Sequence, residues 1–379
     1  MRIQRHLMVT RWLPACVVSI GLAACGDSTT APPPPLPPVP DGPIELSAPW
    51  VEAPPALVGV DEAGLSAAIA QASGIGRLRS LLVVKDGLLI AEEYFGGASV
   101  ETLHDVRSVT KSVVATLTGI AIDEGHIASL DDPIDLHLDP AVAPLTTEQR
   151  AITVRHLLNM TGGFEWDESG GGGDYAAWIT SGDHLGFLLD RPLETPPGSA
   201  FRYNSAAVHL LGVVVASAVD EPLEIYADRV LFSPLGVTAV AWERLADGFV
   251  NGGAGIDLRA RDLARLGQLY LQDGVSGDGG VLPHGWVEAA TQPAFSWRGS
   301  YGALDSYTYG RLWWISESQP ETAYLAWGYG GQFIYVVPDL ELVVVATTNW
   351  SGLTLVGGPG PVERAVLEVI VDRIHPAVR

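Results

Sequence analysis

Ser108 and Lys111 lie three residues apart in "HDVRSVTKSVVAT", residues 104–116. Lys111 is one of two lysines in the chain, the other being Lys85. From Ser108 to about Asp123 the pattern is helical and apolar nearly all round, through Val109, Val113, Val114, Leu117, Ile120, Ala121 and Ile122. A helix of that kind is buried. An ammonium inside it costs several kcal/mol without partners, or it gives up its proton. A desolvated lysine has a lowered pKa and acts as a base near neutral pH. The i to i+3 spacing puts Lys111 on the helix face of Ser108, within side-chain reach. Ser108 stands at the helix start, where free N–H groups and the dipole favour a developing negative charge. The pair therefore reads as an activated nucleophile beside its base.

Other chemistries find no support in the residues. The chain has no G-x-S-x-G elbow, no H-E-x-x-H and no G-x-x-x-x-G-K-[ST]. His104, His156, His184, His209 and His284 have no metal-ligand spacing, so no metal or cofactor is implied. His104, close to Ser108, reads as a structural histidine. Asp131-Asp132-Pro133 reads as a turn rather than an acid pair.

The elements around this helix suggest how it is held. "DEAGLSAAIAQA" predicts a helix with Asp61 at its N-cap. "LRSLLVVKDGLLIAEEYF" predicts two strands joined at Asp86-Gly87. "FIYVVPDLELVVVATTN" predicts a second hairpin turning at Pro338-Asp339, its strands apolar enough for a sheet covered on both faces. "PVERAVLEVIVDRI" predicts a closing helix with Pro361 in its first turn. The expected fold is α/β (α+β): one antiparallel sheet built from both ends of the chain and flanked by helices. The sheet part covers about 47–120 and 250–379, and a mostly helical insert about 121–249. "FSWRGSYGALDSYTYGRLWWIS" is rich enough in aromatics to line an acyl pocket or to serve as core packing.

The chain has 379 residues, 47% hydrophobic and 17% charged, which suits a globular domain with a large core. Its formal net charge of -22 makes nucleic acid and anionic lipid headgroups poor partners. The first residues read as a targeting segment. "MRIQRHLMVTRW" supplies positive charge, and "LPACVVSIGLAAC" is an apolar run too short for a span of ~20 apolar residues. Leu22-Ala23-Ala24-Cys25 resembles a bacterial lipobox. That implies a signal peptide over residues 1–24 and diacylglycerol on the Cys25 sulfur. "GDSTTAPPPPLPPVPDGP" is a proline-rich stretch that cannot bury a core. As polyproline II, a dozen such residues reach roughly 40 Å. Residues 25–46 are thus expected to be a tether between a membrane anchor and a domain over 47–379. Gly26 after the cysteine favours the outer membrane of a cell envelope.

Five further stretches resemble, in order, the serine β-lactamase and penicillin-binding protein superfamily, in particular class C β-lactamases and their esterase and amidase relatives. They are "RSVTKSVVATLTGIAIDEGHIASLDDPI", "ITVRHLLNMTGGF", "TPPGSAFRYNSAAVHLLG", "FVNGGAGIDLRARDLARLGQLYLQDG" and "GYGGQFIYVVPDLELVVVATTN". The resemblance runs over roughly residues 60–375. It implies Ser108 as nucleophile and Lys111 as the motif lysine, with Tyr203 relaying a proton; which of Lys111 and Tyr203 is the general base stays open. Ser205 takes the place of the usual Asn. The family's Lys-Thr-Gly motif is missing, and the matching region reads Ala326-Trp327-Gly328-Tyr329-Gly330-Gly331-Gln332, without a cation. The resemblance implies that the Tyr329 N–H joins the Ser108 N–H as an oxyanion hole, and that Ser205, Trp327, Gly328 and Gly330 line the substrate site. Arg311 is the candidate for a missing charge partner. The expected protein is a lipid-anchored serine hydrolase acting on small esters or amides, most simply a carboxylesterase. The alternatives are a D,D-peptidase or β-lactamase, or an acyl-trapping receptor. The acyl group and the oligomeric state are not legible.

Overall fold

Helix α1 spans Glu62–Ser73, and the Asp61 side chain caps it by accepting the Ala63 N–H at 3.1 Å. Strands β1 (Leu78–Lys85) and β2 (Leu88–Tyr94) meet at Asp86 and Gly87. Both turn residues have positive φ, 52° and 73°, as a tight two-residue hairpin requires. A short strand β3 (His104–Asp105) then leads into α2, Val109–Asp123. The helical stretch that follows contains α3 (Val154–Leu158), α4 (Ser169–Ile179), α5 (His184–Leu189), α6 (Ser205–Val219) and α7 (Leu223–Ala227). Strands β4 (Ala241–Trp242) and β5 (Ile256–Leu258) precede α8, Ala260–Leu271. A small hairpin, β6 (Val275–Ser276) and β7 (Gly279–Gly280), is followed by α9, Trp286–Thr291. The chain returns through β8 (Gly299–Tyr301), β9 (Leu304–Tyr309), β10 (Trp314–Ser316), β11 (Ala323–Gly328), β12 (Gln332–Val337) and β13 (Leu342–Thr348). Helix α10 (Gly360–Leu367) closes it and continues to Ile374 in wider, π-helical turns. This computed structural model describes residues 35–353 and 360–379. The expected signal segment, Cys25 and the expected tether before residue 35 lie outside the described residues.

Eight of these strands make one antiparallel sheet in the order β2-β1-β13-β12-β11-β10-β9-β8. Strand β1 lies directly beside the last strand, with Val83 opposite Val344, and β2 forms the edge. The hairpins from the chain's two ends therefore pair within one sheet. Along β1, Leu82 and Val84 enter one core while Leu81 and Val83 enter the other. In β13, Val343 and Val345 alternate with Val344 and Ala346 in the same way. One core packs under α2 and α8, the other under α1 and the C-terminal helix. A strand covered on both faces is apolar at every position, which is why these strands carry no polar alternation.

Two expected boundaries shift. The packed chain begins before Ser47: Leu46 is buried, its N–H donates to Ser276 Oγ at 2.9 Å, and the Ile44 N–H donates to Gln272 Oε1 at 3.0 Å. The last residues assigned to the tether are thus stitched to the domain. The boundary near residue 121 falls inside α2, because that helix is buried between α6 and strand β11 and belongs to both parts. Within the stretch 121–249, β4 also pairs with β5, which holds the helical part to the sheet part.

Candidate active site

The start of α2 is fixed by its flanks. Arg107, just before Ser108, has φ 51°, a left-handed conformation that costs energy for a non-glycine residue. Asp105 offsets that cost by accepting the Arg107 N–H at 2.9 Å. Thr110 Oγ1 accepts the N–H groups of Gly255 and Ile256 at 3.1 and 3.2 Å, and Ser112 Oγ donates to the Leu312 carbonyl at 2.8 Å. The small hydroxyl residues around Lys111 therefore lock the helix to the segments on either side.

Lys111 is 1% exposed. Its Nζ lies 2.9 Å from Ser108 Oγ, 2.8 Å from Ser205 Oγ and 2.6 Å from the Gly253 carbonyl oxygen. Burial brings its pKa down to about 7; the Glu168 charge opposes that fall and the Arg107 charge adds to it. An ammonium satisfies all three neighbours as donor. A neutral amine has two N–H groups and one lone pair. The Gly253 carbonyl accepts only, and the Ser205 hydroxyl already donates to Glu168 Oε2 at 2.9 Å. The two remaining N–H groups of the neutral amine are thereby assigned, and its lone pair faces the Ser108 hydroxyl. That arrangement can take the proton of Ser108.

Gly253 must be glycine for this contact. A Cβ there would stand 2.6 Å from the Ser205 carbonyl oxygen. Asn251 shapes the turn by accepting the N–H groups of Gly253 and Ala254 at 3.0 and 3.1 Å. Ser205 opens α6, and Asn204 caps that helix through the Ala207 N–H at 2.9 Å.

Tyr203 stands just before α6, with Lys111 Nζ 4.8 Å from its ring centre. Burial first, and the Glu168 charge second, push its phenol far above the usual range, while Ser108 draws it the other way. The phenol therefore favours its protonated form. Its ring stacks on Trp314 at 5.9 Å and meets Tyr309 edge-on at 6.3 Å. Phe201 stacks on Trp297 at 5.8 Å. The aromatic stretch from Phe295 to Trp314 is thus the wall that holds the Phe201–Tyr203 segment, and the same rings border the site.

On the other side, β11 comes against the start of α2. A Cβ on Gly328 would lie 2.2 Å from the Val106 carbonyl oxygen and 3.2 Å from Arg107 Cβ. That close approach sets the end of β11, just before Tyr329, against the residues that precede Ser108. Among the described residues, neither the Ser108 nor the Tyr329 N–H donates to another group. Gly330 differs from its expected role: its N–H donates to Glu363 Oε1 at 2.8 Å and its carbonyl accepts from Thr348 Oγ1 at 2.6 Å. Both polar groups are used within the turn. Trp327 reaches Tyr203 only through the intervening Trp314 ring, 5.6 Å away. Ser205, expected to face substrate, faces Lys111 and Glu168. Arg311 does not approach Ser108: its guanidinium lies 6.0 Å from the Trp286 ring. The arginine at the site is Arg107, whose guanidinium lies 4.4 Å from the Trp350 ring and donates to Tyr175 Oη at 2.8 Å, with Asp105 at 3.5 Å.

Several of the residues were not anticipated. Glu168, Gly253, Asn251 and Arg107 enter the site from loops whose sequences carry no periodicity; only the glycines of "VNGGAG" signal a close backbone approach. His104 is buried in β3, and Asp131 pairs with Arg155 through two hydrogen bonds of 2.7 and 2.9 Å. Among the described residues no group of His, Cys, Asp and Glu has a metal-binding arrangement.

The family model described as Beta-lactamase matches residues 67–358. The 6-aminohexanoate-dimer hydrolase of Paenarthrobacter ureafaciens is 27% identical over 297 residues, 72% of this chain and 72% of that protein. The esterase EstB of Burkholderia gladioli is 33% identical over 150 residues, covering 36% of this chain and 38% of that one. Among solved structures, a Bacillus anthracis protein provisionally named a 6-aminohexanoate-dimer hydrolase superposes with a TM-score of 0.70 at 19% identity, over 90% of each chain. That likeness concerns the fold.

Proposed function

Because the chain belongs to the Beta-lactamase family, whose members similar to it include hydrolases of amides and esters, we propose that it is a serine hydrolase working through an acyl-enzyme on small esters, with small amides as the neighbouring class. The observation that carries this reading is the Lys111 amine, 2.9 Å from Ser108 Oγ with its other two partners fixed. Ser108 Oγ attacks the carbonyl carbon as its proton passes to Lys111, which makes Lys111 the general base. The oxyanion sits between the Ser108 and Tyr329 N–H groups. Collapse of the tetrahedral intermediate breaks the bond to the leaving alkoxide or amine, which takes its proton from the Lys111 ammonium, with the Tyr203 phenol beside it. Water then attacks the acyl-enzyme along the reverse proton path. The reaction needs no cofactor.

The preference for esters rests on the β11 edge. It offers Trp327, Gly328 and Tyr329 but no cation, and Arg107 has its two terminal nitrogens engaged by Tyr175 and Asp105 under the Trp350 ring, which leaves only its buried Nε without a partner among the described residues. A substrate carboxylate would lack a charge-assisted hydrogen bond worth ~1.5–3 kcal/mol, or roughly ten- to more than a hundredfold in rate. Short-chain aryl esters are therefore expected to exceed nitrocefin and a D-Ala-D-Ala peptide in kcat/KM by at least ~30-fold. Equal or better rates on the carboxylate-bearing substrates would move the assignment to a D,D-peptidase or β-lactamase, with Arg107 as the cation.

A further inference from the structure

We propose that Glu168 is a positioning residue of this site: acting through Ser205, it holds Lys111 in place beside Ser108. The inference rests on the acyl-enzyme reading above. Glu168 stands directly before α4, in the loop after Trp166. Its carboxylate accepts the Ser205 N–H and, at 2.9 Å, the Ser205 hydroxyl; it also accepts Trp166 Nε1–H at 2.8 Å. The Ser205 N–H is a first-turn donor of α6 with no partner in its own helix, and an anion there is favoured by the helix dipole. Glu168, Ser205, Lys111 and Ser108 thus form one continuous chain of contacts. In such a chain the base is oriented by a third group.

A carboxylate that only tied the loop to α6 could lie anywhere along that helix end. This one fixes the direction of the Ser205 hydroxyl. With its proton committed to Glu168, Ser205 can only accept from Lys111, and this assigns one of the two N–H groups of the neutral amine. Glu168 also brings a negative charge to bear on Lys111, against the nearby Arg107. The other titratable groups that face the site are Tyr203, Tyr175 and Tyr309, with Asp105 paired to Arg107. Burial alone would leave Lys111 a weaker base, always neutral but slow to accept a proton. The negative charge counters part of that loss. A base working near neutral pH is the more effective one.

Glu168→Gln keeps an acceptor for the Ser205 hydroxyl and removes the charge. With p-nitrophenyl acetate, and with active sites counted by fluorophosphonate labelling of Ser108, the acidic limb of kcat/KM should move down by about half a pH unit or more. The plateau in kcat should fall ~10-fold with KM little changed. Ser205→Ala should also lower kcat, and in the double variant the two losses should not multiply, because both act on one path. Glu168→Asp, which restores the charge at a shorter reach, should return the limb toward wild type. A labelled Glu168→Gln protein with an unmoved limb and plateau overturns the role of Glu168 alone. Wild-type Ser108 that resists labelling overturns the acyl-enzyme reading and this inference with it.

Discussion

The two walls of the site are built on opposite terms. On the Lys111 side every polar atom has an assigned partner: Ser108, Ser205, the Gly253 carbonyl and, one step further, Glu168 and Trp166. On the β11 side the Ser108 and Tyr329 N–H groups have no partner among the described residues, and aromatic rings replace charge. Satisfied groups hold a geometry, and unpaired donors wait for a charge that appears during reaction. In the mechanism proposed above, one wall moves a proton and the other receives an oxyanion. Among the described residues the β11 wall carries no lysine to draw in a substrate anion, which separates this site from one built around a lysine on the edge strand.

The sharpest way to break this contrast is to empty the proton-moving wall. Lys111→Met keeps the apolar volume, and Ser108→Ala removes the attacking oxygen. Each should lower kcat/KM on an aryl ester by at least ~10³-fold, while KM for the residual activity stays within a few-fold. The wild-type kcat/KM should rise with pH along an acidic limb centred near the Lys111 pKa of about 7, since only the unprotonated amine accepts the serine proton. A Lys111→Met protein with near-wild-type turnover would remove the lysine from the mechanism, because Lys85, the other lysine, is paired with Asp86 in the first hairpin.

The second wall can be tested through Gly328. Gly328→Ala places a methyl group 2.2 Å from the Val106 carbonyl oxygen, so β11 or the turn before α2 must give way. The Tyr329 N–H then leaves its place, and the loss of one oxyanion donor costs roughly 10²-fold in kcat. Backbone crowding of this kind also costs ~1–3 kcal/mol of stability. The expected signature is a roughly 10²-fold fall in kcat measured well below the melting temperature, where the variant is still folded, with Ser108 still labelled slowly by a fluorophosphonate. Unchanged kcat in a folded Gly328→Ala protein would show that the oxyanion is held elsewhere.

These two walls also differ in how far the sequence reveals them. The sheet is plain in it, because Leu81 to Val84 and Leu342 to Ala346 are apolar at every position and both hairpins carry turn residues that only turns need. Ser108 and Lys111 are plain as well, since a charged residue in an apolar helix demands an explanation. Glu168 is not, because a glutamate beside four glycines looks like any solvated loop until the fold brings it to Ser205. Arg107 is hidden for a related reason: nothing local indicates that its φ is 51° or that Trp350 lies against it. Gly330 misleads in the opposite direction, as a glycine whose conformation serves the turn rather than a ligand. Periodicity and chemical incongruity survive in a linear sequence, whereas contacts between loops do not.

The smallest effect concerns stability, and it comes from the same lysine. Lys111 has a pKa of about 7 in the folded chain against 10.5 for the free side chain. Between those values the unfolded chain binds a proton that the folded chain does not, so stability rises with pH across that window. Below about pH 7 both states carry the proton and the slope vanishes. Here the sign is that of a group whose burial costs stability, and the cost is greatest at the acidic end. Lys111→Met removes the titration altogether, though it leaves the Gly253 carbonyl without its donor. The difference in unfolding free energy between the two proteins, measured in urea at pH 7, 8 and 9, should therefore change steadily in favour of the wild type as pH rises. The change should be about 1 kcal/mol per pH unit. A difference that stays constant over that range would mean that Lys111 keeps its proton in the folded chain, and that the closed wall holds an ammonium rather than a base.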